Sequence, residues 1–246
     1  MPILRSHIEK SSGMRLCVIP ARGGSKRIPR KNIKNFCGQS MIGYSIKAAL
    51  ASKCFDKIIV STDNQEIAQV SRSFGAETPF VRPEKLANDY MGTVPVVKHA
   101  IEWFDKQGQS PVDVCCLYAT TPFIRADTIK KAYNQMKHTQ SDYCFTITSF
   151  VSPIQRSIKI TSEGRIDMFY PEYLETRSQD LEDAYHDAGQ FYWGKAEAFK
   201  QQKLLFSKDA SPYILPRYLV QDIDTLEDWK HAELMYQVLK SNGVLD

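Results

Sequence analysis

Two short stretches hold the residues best suited to chemistry. Positions 19–32 read IPARGGSKRIPRKN, so Arg22, Lys26, Arg27, Arg30 and Lys31 surround Gly23 and Gly24 directly after the apolar run Leu16-Cys17-Val18-Ile19. Clustered cations and backbone N–H groups suit a polyphosphate, and paired glycines are expected to reach positive φ and let the backbone approach a ligand closely. Further on, QDIDTLED sets Asp222 and Asp224 two residues apart. On an extended strand both side chains leave one face, about 7 Å apart along the chain. Hard carboxylate oxygens at that spacing suit Mg²⁺, which keeps several waters and bridges to phosphates instead of needing a complete protein cage. The competing reading makes Asp224 or Thr225 the cap of the helix that follows. Asp63, after KIIVST, is open to the same choice between orienting a ribose or a cation and capping a helix from Asn64.

The basic stretch follows a strand, and the surrounding pattern says which kind. The β-branched runs RLCVIP, KIIVST, DVCCLYAT and YCFTITSF alternate with the helical patterns MIGYSIKAALAS, NQEIAQVSRSFG, TVPVVKHAIEWFDKQ and ADTIKKAYNQMKH. Nearly continuous apolar strands between amphipathic helices predict an α/β, three-layer, doubly wound and mostly parallel sheet. In such a sheet ligands bind outside the carboxyl ends of the strands, where the basic loop falls. After residue 150 the rhythm loosens into a polar segment with a hairpin expected around Ser162-Glu163-Gly164, read as an insertion spanning approximately 151–190. A strand FYWG, a helix over 195–202, a strand-like RYLVQDID and a long helix over 225–241 complete the pattern. Residues 1–13 read as an extension ahead of a single domain over 14–246.

The bulk composition narrows the function classes. With 246 residues and 43% hydrophobic content the chain can bury a large core. A formal charge of +4, from 32 basic and 28 acidic residues, is too slight for a general nucleic-acid coat, and the basic loop lacks the interleaved aromatics of a single-strand binder. Six scattered cysteines without a CxxC pair read as buried reduced thiols, and no apolar run reaches the ~20 residues that span a bilayer, so a soluble, cytoplasmic protein is expected. The P-loop spacing, the GxGxxG fingerprint and a GxSxG elbow are all absent.

Taken in order, IPARGGSKRIPRKNI, the stretch from MIGYSIKAALAS to RSFGAE, RPEKLANDYMGT, YATTPFIRADTI and QDIDTLEDW resemble the motifs of the CMP-sugar acid synthetases, the cytidylyltransferases that activate nonulosonic acids. The resemblance implies a nucleotide-diphospho-sugar transferase-like fold. It implies attack of the sugar acid's anomeric hydroxyl on the α-phosphate of CTP, with pyrophosphate leaving. Carried over by position, Ala21, Arg22, Gly23, Gly24, Ser25 and Lys26 would hold the triphosphate, Lys31 and Asn32 would lie near the α-phosphate and nucleoside, and Asp222 and Asp224 would bind Mg²⁺. Ala87, Asp89 and Thr93 fall in the family's cytosine loop, although a plain polar connection before a helix explains them equally. The 151–190 segment resembles the family's dimerisation insertion, so a homodimer is implied.

Two departures bear on the sugar. Where sialic-acid synthetases carry a glutamine and a proline, this chain has Tyr118 and Ala119, followed by Thr120 as a pocket candidate. The run DAGQFYWG resembles that of pseudaminic acid cytidylyltransferases, which implies transfer to pseudaminic acid, with sialic acid, legionaminic acid or Kdo as alternatives. Gln190, Phe191 and Tyr192 are then candidates to meet the sugar, against an ordinary buried strand. Arg156 and Arg177 are candidate partners for its carboxylate, against exposed surface charges.

Overall fold

The computed structural model describes residues 13–88 and 91–245. Its first half runs β1 (Met14–Pro20), a two-stranded ribbon of β2 (Asn35–Phe36) and β3 (Gln39–Ser40), α1 (Met41–Ser52), β4 (Lys57–Ser61), α2 (Gln65–Ser73), α3 (Thr93–Lys106) and β5 (Pro111–Leu117). The second half runs α4 (Ala126–Thr139), β6 (Tyr143–Ser149), the small strands β7 (Ile158–Ile160) and β8 (Ile166–Met168), β9 (Tyr185–Lys195), α5 (Ala196–Lys200), β10 (Ala210–Ile214) and α6 (Leu226–Ser241).

Six strands form the central sheet in the order β10-β6-β9-β5-β1-β4, parallel except for β9, which runs against both neighbours. Leu16, Cys17, Val18 and Ile19 of β1 and Val114 to Leu117 of β5 have no solvent exposure, as a sheet covered on both faces requires. One face packs against α1, α2 and α4 through Ile42, Ile46, Ile67 and Ile129. The opposite face packs against α3 and α5 through Val97, Ile101 and Phe199. The architecture is the expected three-layer α/β arrangement.

A third cluster matters most for the site. Trp229, Ala232, Tyr236 and Leu239 of α6 pack on Ile28, Phe36, Met41 and Ile223. Ile28 is the apolar residue inside the basic loop, so the last helix seats the loop that leaves the first strand.

The later elements differ from expectation. β9 begins six residues before FYWG. β10, ASPYI, carries Pro212 and escapes a strand reading, yet it is an edge strand paired only with β6, where a missing N–H is tolerated. RYLVQDID is not a strand: Pro216 opens a single 3-10 turn over Arg217–Leu219, and 220–224 run on without ladder partners. The hairpin falls where expected, with β7 against β8 and Gly164 at φ +72° in its turn. Among the described residues no helix is long and apolar enough to cross a membrane.

Candidate active site

The carboxyl ends of β1 and β5 open into a cleft of about 270 Å³. Its floor is the basic loop, held by four tethers. Ala21 N–H extends the β1–β4 ladder to Ser61 O at 2.9 Å, and Gly23 N–H donates to Asp63 Oδ1 at 2.9 Å. Buried Asn32 donates from Nδ2 to Arg22 O at 3.0 Å, and Ile28 is sunk in the α6 core. Asn64 caps α2 by accepting from the N–H groups of Glu66 and Ile67, which leaves the Asp63 carboxylate for the loop. The glycines serve differently from expectation, since neither Gly23 nor Gly24 has positive φ. Gly23 is needed for proximity: a Cβ there would stand 3.0 Å from the Asn64 side chain. The left-handed residue is Arg30, at φ 57°, ahead of the 3-10 turn Lys31–Ile33.

Asp224 enters the same cleft from the other end of the chain. Arg27 Nη1 lies 2.9 Å from its Oδ2 and Lys31 Nζ 3.3 Å from its Oδ1, while Lys31 also donates to Ile223 O at 2.7 Å. The cap of α6 is Thr225. Its hydroxyl accepts the Asp228 N–H while the Asp228 carboxylate accepts the Thr225 N–H, a complete capping box that leaves the Asp224 carboxylate facing the cations. Hydrogen bonds from the Thr225 hydroxyl and N–H hold the Asp228 carboxyl below its ordinary value. Asp222 is exposed and does not line the cleft, and the segment that carries it has no ladder partners, so the shared strand face expected for the two aspartates is not formed.

The opposite wall holds a residue that sequence reasoning passed over. Arg82 is 4% exposed, lines the cleft, and donates from Nε to Ser61 Oγ at 3.1 Å and from Nη2 to Ser61 O. Burial pulls its guanidinium down to about 10, with Asp63 opposing the shift. The motif RPEKLAND contains it, and nothing local to that stretch marks Arg82 for burial. Downstream, Met91, Gly92 and Thr93 line the cleft at the start of α3. Ala87 closes a 3-10 turn through its N–H to Glu84 O and does not line the cleft, and Asp89 lies outside the described residues.

At the β5 end the cleft is hydroxyl-rich. Tyr118 and Thr120 line it, and the Tyr118 hydroxyl lies 3.2 Å from Thr93 Oγ1 and 3.5 Å from the Tyr192 hydroxyl. Tyr192 in turn donates to Asp187 Oδ2. Burial raises the phenols of Tyr118 and Tyr192, so both stay protonated at neutral pH.

Other sugar candidates fall elsewhere. Phe191 has no exposed surface and packs with Trp193 beneath α4, so strand alternation gives it to the core. Gln190 is buried and spends Nε2 on Leu219 O at 2.7 Å, bracing β9 to the turn before Asp224. Arg156 donates to Thr176 O, and Arg177 pairs with Asp180 at 2.6 Å. Both arginines are bound within the excursion that carries β7 and β8, away from this chain's own cleft.

A polyphosphate-sized cleft with a cationic floor, an inward Asp224 carboxylate and a hydroxyl wall, set at the strand ends of a three-layer α/β sheet, defines a nucleotidyltransferase. The chain matches the family described as Cytidylyltransferase over residues 16–235 and belongs to it. It is 46% identical over 223 residues, 91% of this chain and 96% of the relative, to the pseudaminic acid cytidylyltransferase of Campylobacter jejuni subsp. jejuni serotype O:2. It is 34% identical over 236 residues, 91% of this chain and 96% of the relative, to the CMP-N,N'-diacetyllegionaminic acid synthase of Legionella pneumophila subsp. pneumophila. A CMP:2-keto-3-deoxy-manno-octonic acid synthetase solved with CTP shares the fold, with a TM-score of 0.68 at 17% identity over 92% of this chain and all of that one.

Proposed function

We propose that this enzyme transfers CMP from CTP to the anomeric hydroxyl of pseudaminic acid and releases pyrophosphate. The observation that carries the reading is the convergence of Arg22, Lys26, Arg27, Lys31 and Arg82 with Asp224 on one cleft that ends in hydroxyl groups. The identity of almost half the residues with the Campylobacter relative supports the choice of acceptor.

In the reaction an O–P bond forms between the sugar and the α-phosphorus while the bond to the β-phosphate oxygen breaks. Nucleotidyl transfer depends on alignment and on cations that meet developing charge. The basic loop supplies those cations at fixed positions because Asn32, Asp63 and Ile28 hold its backbone before the nucleotide arrives. Arg82 and Tyr118 both line the cleft, and we assign the cationic part to the triphosphate and the hydroxyl part to the sugar.

The donor set fits Mg²⁺ of one kind only. Among the described residues no three His, Cys, Asp or Glu side chains gather around a common point, which argues against a protein cage. Asp224, with Asp222 two residues away but outside the lining, fits an ion carried largely by phosphate and water. Such an ion would neutralise phosphate oxygens, and Arg27 would yield its contact with Asp224.

A homodimer is part of the proposal. Ile158, Ile160, Ile166, Phe169 and Leu174 are all more than half exposed on one hairpin excursion, an apolar surface that a second copy would cover. The insertion then spans about 151–184, short of the approximate 190 expected because β9 re-enters the sheet at Tyr185, and 14–246 is read as one domain. Six unpaired cysteines fit a reducing cytoplasm.

The test is pyrophosphate release with CTP and Mg²⁺ against pseudaminic, sialic and legionaminic acids and Kdo. Pseudaminate should give the highest kcat/KM; preference for another acid would refute the acceptor assignment.

A further inference from the structure

The hydroxyl wall has a direction, and Asp187 sets it. Asp187 and Tyr192 are five residues apart on β9, a spacing that places side chains on opposite faces of a regular strand. The β6–β9 register shifts between Phe145 and Ile147, and Gly189 takes φ +62°, so the strand is re-aimed and the two side chains meet. Asp187 Oδ1 accepts the Gly189 N–H at 2.8 Å, and Oδ2 accepts the Tyr192 hydroxyl.

An ionised carboxylate can only accept, so Tyr192 must donate to it. The Tyr192 oxygen is then free to accept the proton of Tyr118 at 3.5 Å, and with that proton so committed the 3.2 Å contact, which either hydroxyl could donate, takes its proton from Thr93. The 3.5 Å step is long for an O–H···O bond and is the one a bound substrate would tighten. Each link fixes the next. The cleft-facing oxygens of Tyr118 and Thr93 are left with lone pairs and no proton to offer.

We infer that Asp187, without touching the substrate, makes this wall a hydrogen-bond acceptor and so selects a sugar acid that presents an N–H donor there. Building on the proposed acceptor, that donor is one of the two acylamino groups of pseudaminate. An amide N–H cannot reverse its role, whereas a hydroxyl can turn and serve either polarity. Asp187 is therefore a positioning residue for specificity, acting through Tyr192 and Tyr118.

The test exploits an anchor in the structure. In Asp187→Asn the Gly189 N–H still demands an acceptor at the Oδ1 position, so the new NH₂ group faces Tyr192 and reverses every link without moving a heavy atom. Steady-state kinetics would compare wild type, D187N and Y192F with CTP and two acids that differ only by an acylamino group replaced by hydroxyl. D187N should raise KM for the acylamino acid about 10- to 100-fold and KM for the hydroxyl acid no more than about 3-fold, with KM for CTP within about 2-fold. Y192F, which removes only the relay oxygen, should narrow the wild-type preference between the acids, and it decides the matter if D187N does not fold. Equal effects on both acids, or a matching rise in KM for CTP, would overturn the inference. Wild-type turnover of neither acid would refute the proposed function instead.

Discussion

Replacing Arg82 with Met separates what this residue costs the fold from what it gives the cleft. Burial brings its guanidinium down to about 10 against an ordinary value near 12.5. At about 1.4 kcal/mol per pH unit, holding the charged form inside costs the native state about 3 kcal/mol. For a cation lowered on folding, that cost is complete below the folded value and fades as pH rises through it, so it applies in full at neutral pH. Against the relief stands the loss of two hydrogen bonds to Ser61, of about 1.5–3 kcal/mol each for a charged donor. Ser61 O keeps the Ala21 N–H at 2.9 Å, so only Ser61 Oγ loses its partner. The net change is expected within about 2 kcal/mol of zero, a shift in Tm of no more than roughly 8 °C for a chain of this size. Losing a charged donor at the cleft should lower kcat/KM for CTP about 10- to 100-fold. Differential scanning fluorimetry and pyrophosphate release measure the two effects. A fall in Tm above about 10 °C with CTP kinetics intact would make Arg82 a structural strut and refute the reasoning.

Asp224→Asn should lower turnover at least about 100-fold, equivalent to about 2.7 kcal/mol, while circular dichroism shows Tm within about 4 °C, because partly exposed ion pairs contribute at most about 1 kcal/mol. Thr225→Ala removes the accepting half of the α6 capping box and should cost about 1 kcal/mol, read as a Tm lower by roughly 2–4 °C in the same melts with kcat retained. Ile160→Glu, at a site 80% exposed in the single chain, should convert a dimer to monomer by light scattering while the circular dichroism spectrum stays that of the folded chain; a monomeric wild type would remove the dimer from the proposal.

The sheet, its two helix layers and the loop after β1 were legible because apolar runs and helical periodicity are local properties. The convergence of Lys31 with Asp224 was legible only as ordered motifs, since nothing local to either stretch points to the other. Arg82 was hidden because its burial comes from Ser61 on β4, a partner fixed by tertiary structure. Phe191 and Tyr192 look alike in sequence, and the pleat of β9 buries one on the α1 and α4 face and the other on the α3 face, where its hydroxyl meets Asp187. Gly23 and Gly24 suggested backbone freedom, whereas the structure uses Gly23 for the space beside Asn64. Asp222 was grouped with Asp224 on an expected strand that Pro216 prevents.

Lys31 donates to a carbonyl 192 positions away, and Ile28 rests on the final helix. During synthesis the amino-terminal portion leaves the ribosome first. A nascent chain with all six sheet strands in place holds the basic loop only through Ser61, Asp63 and Asn32, and still lacks Asp224 and the α6 seat for Ile28. Competence therefore arrives in one late event, when α6 docks, and a copy truncated ahead of that helix cannot consume CTP.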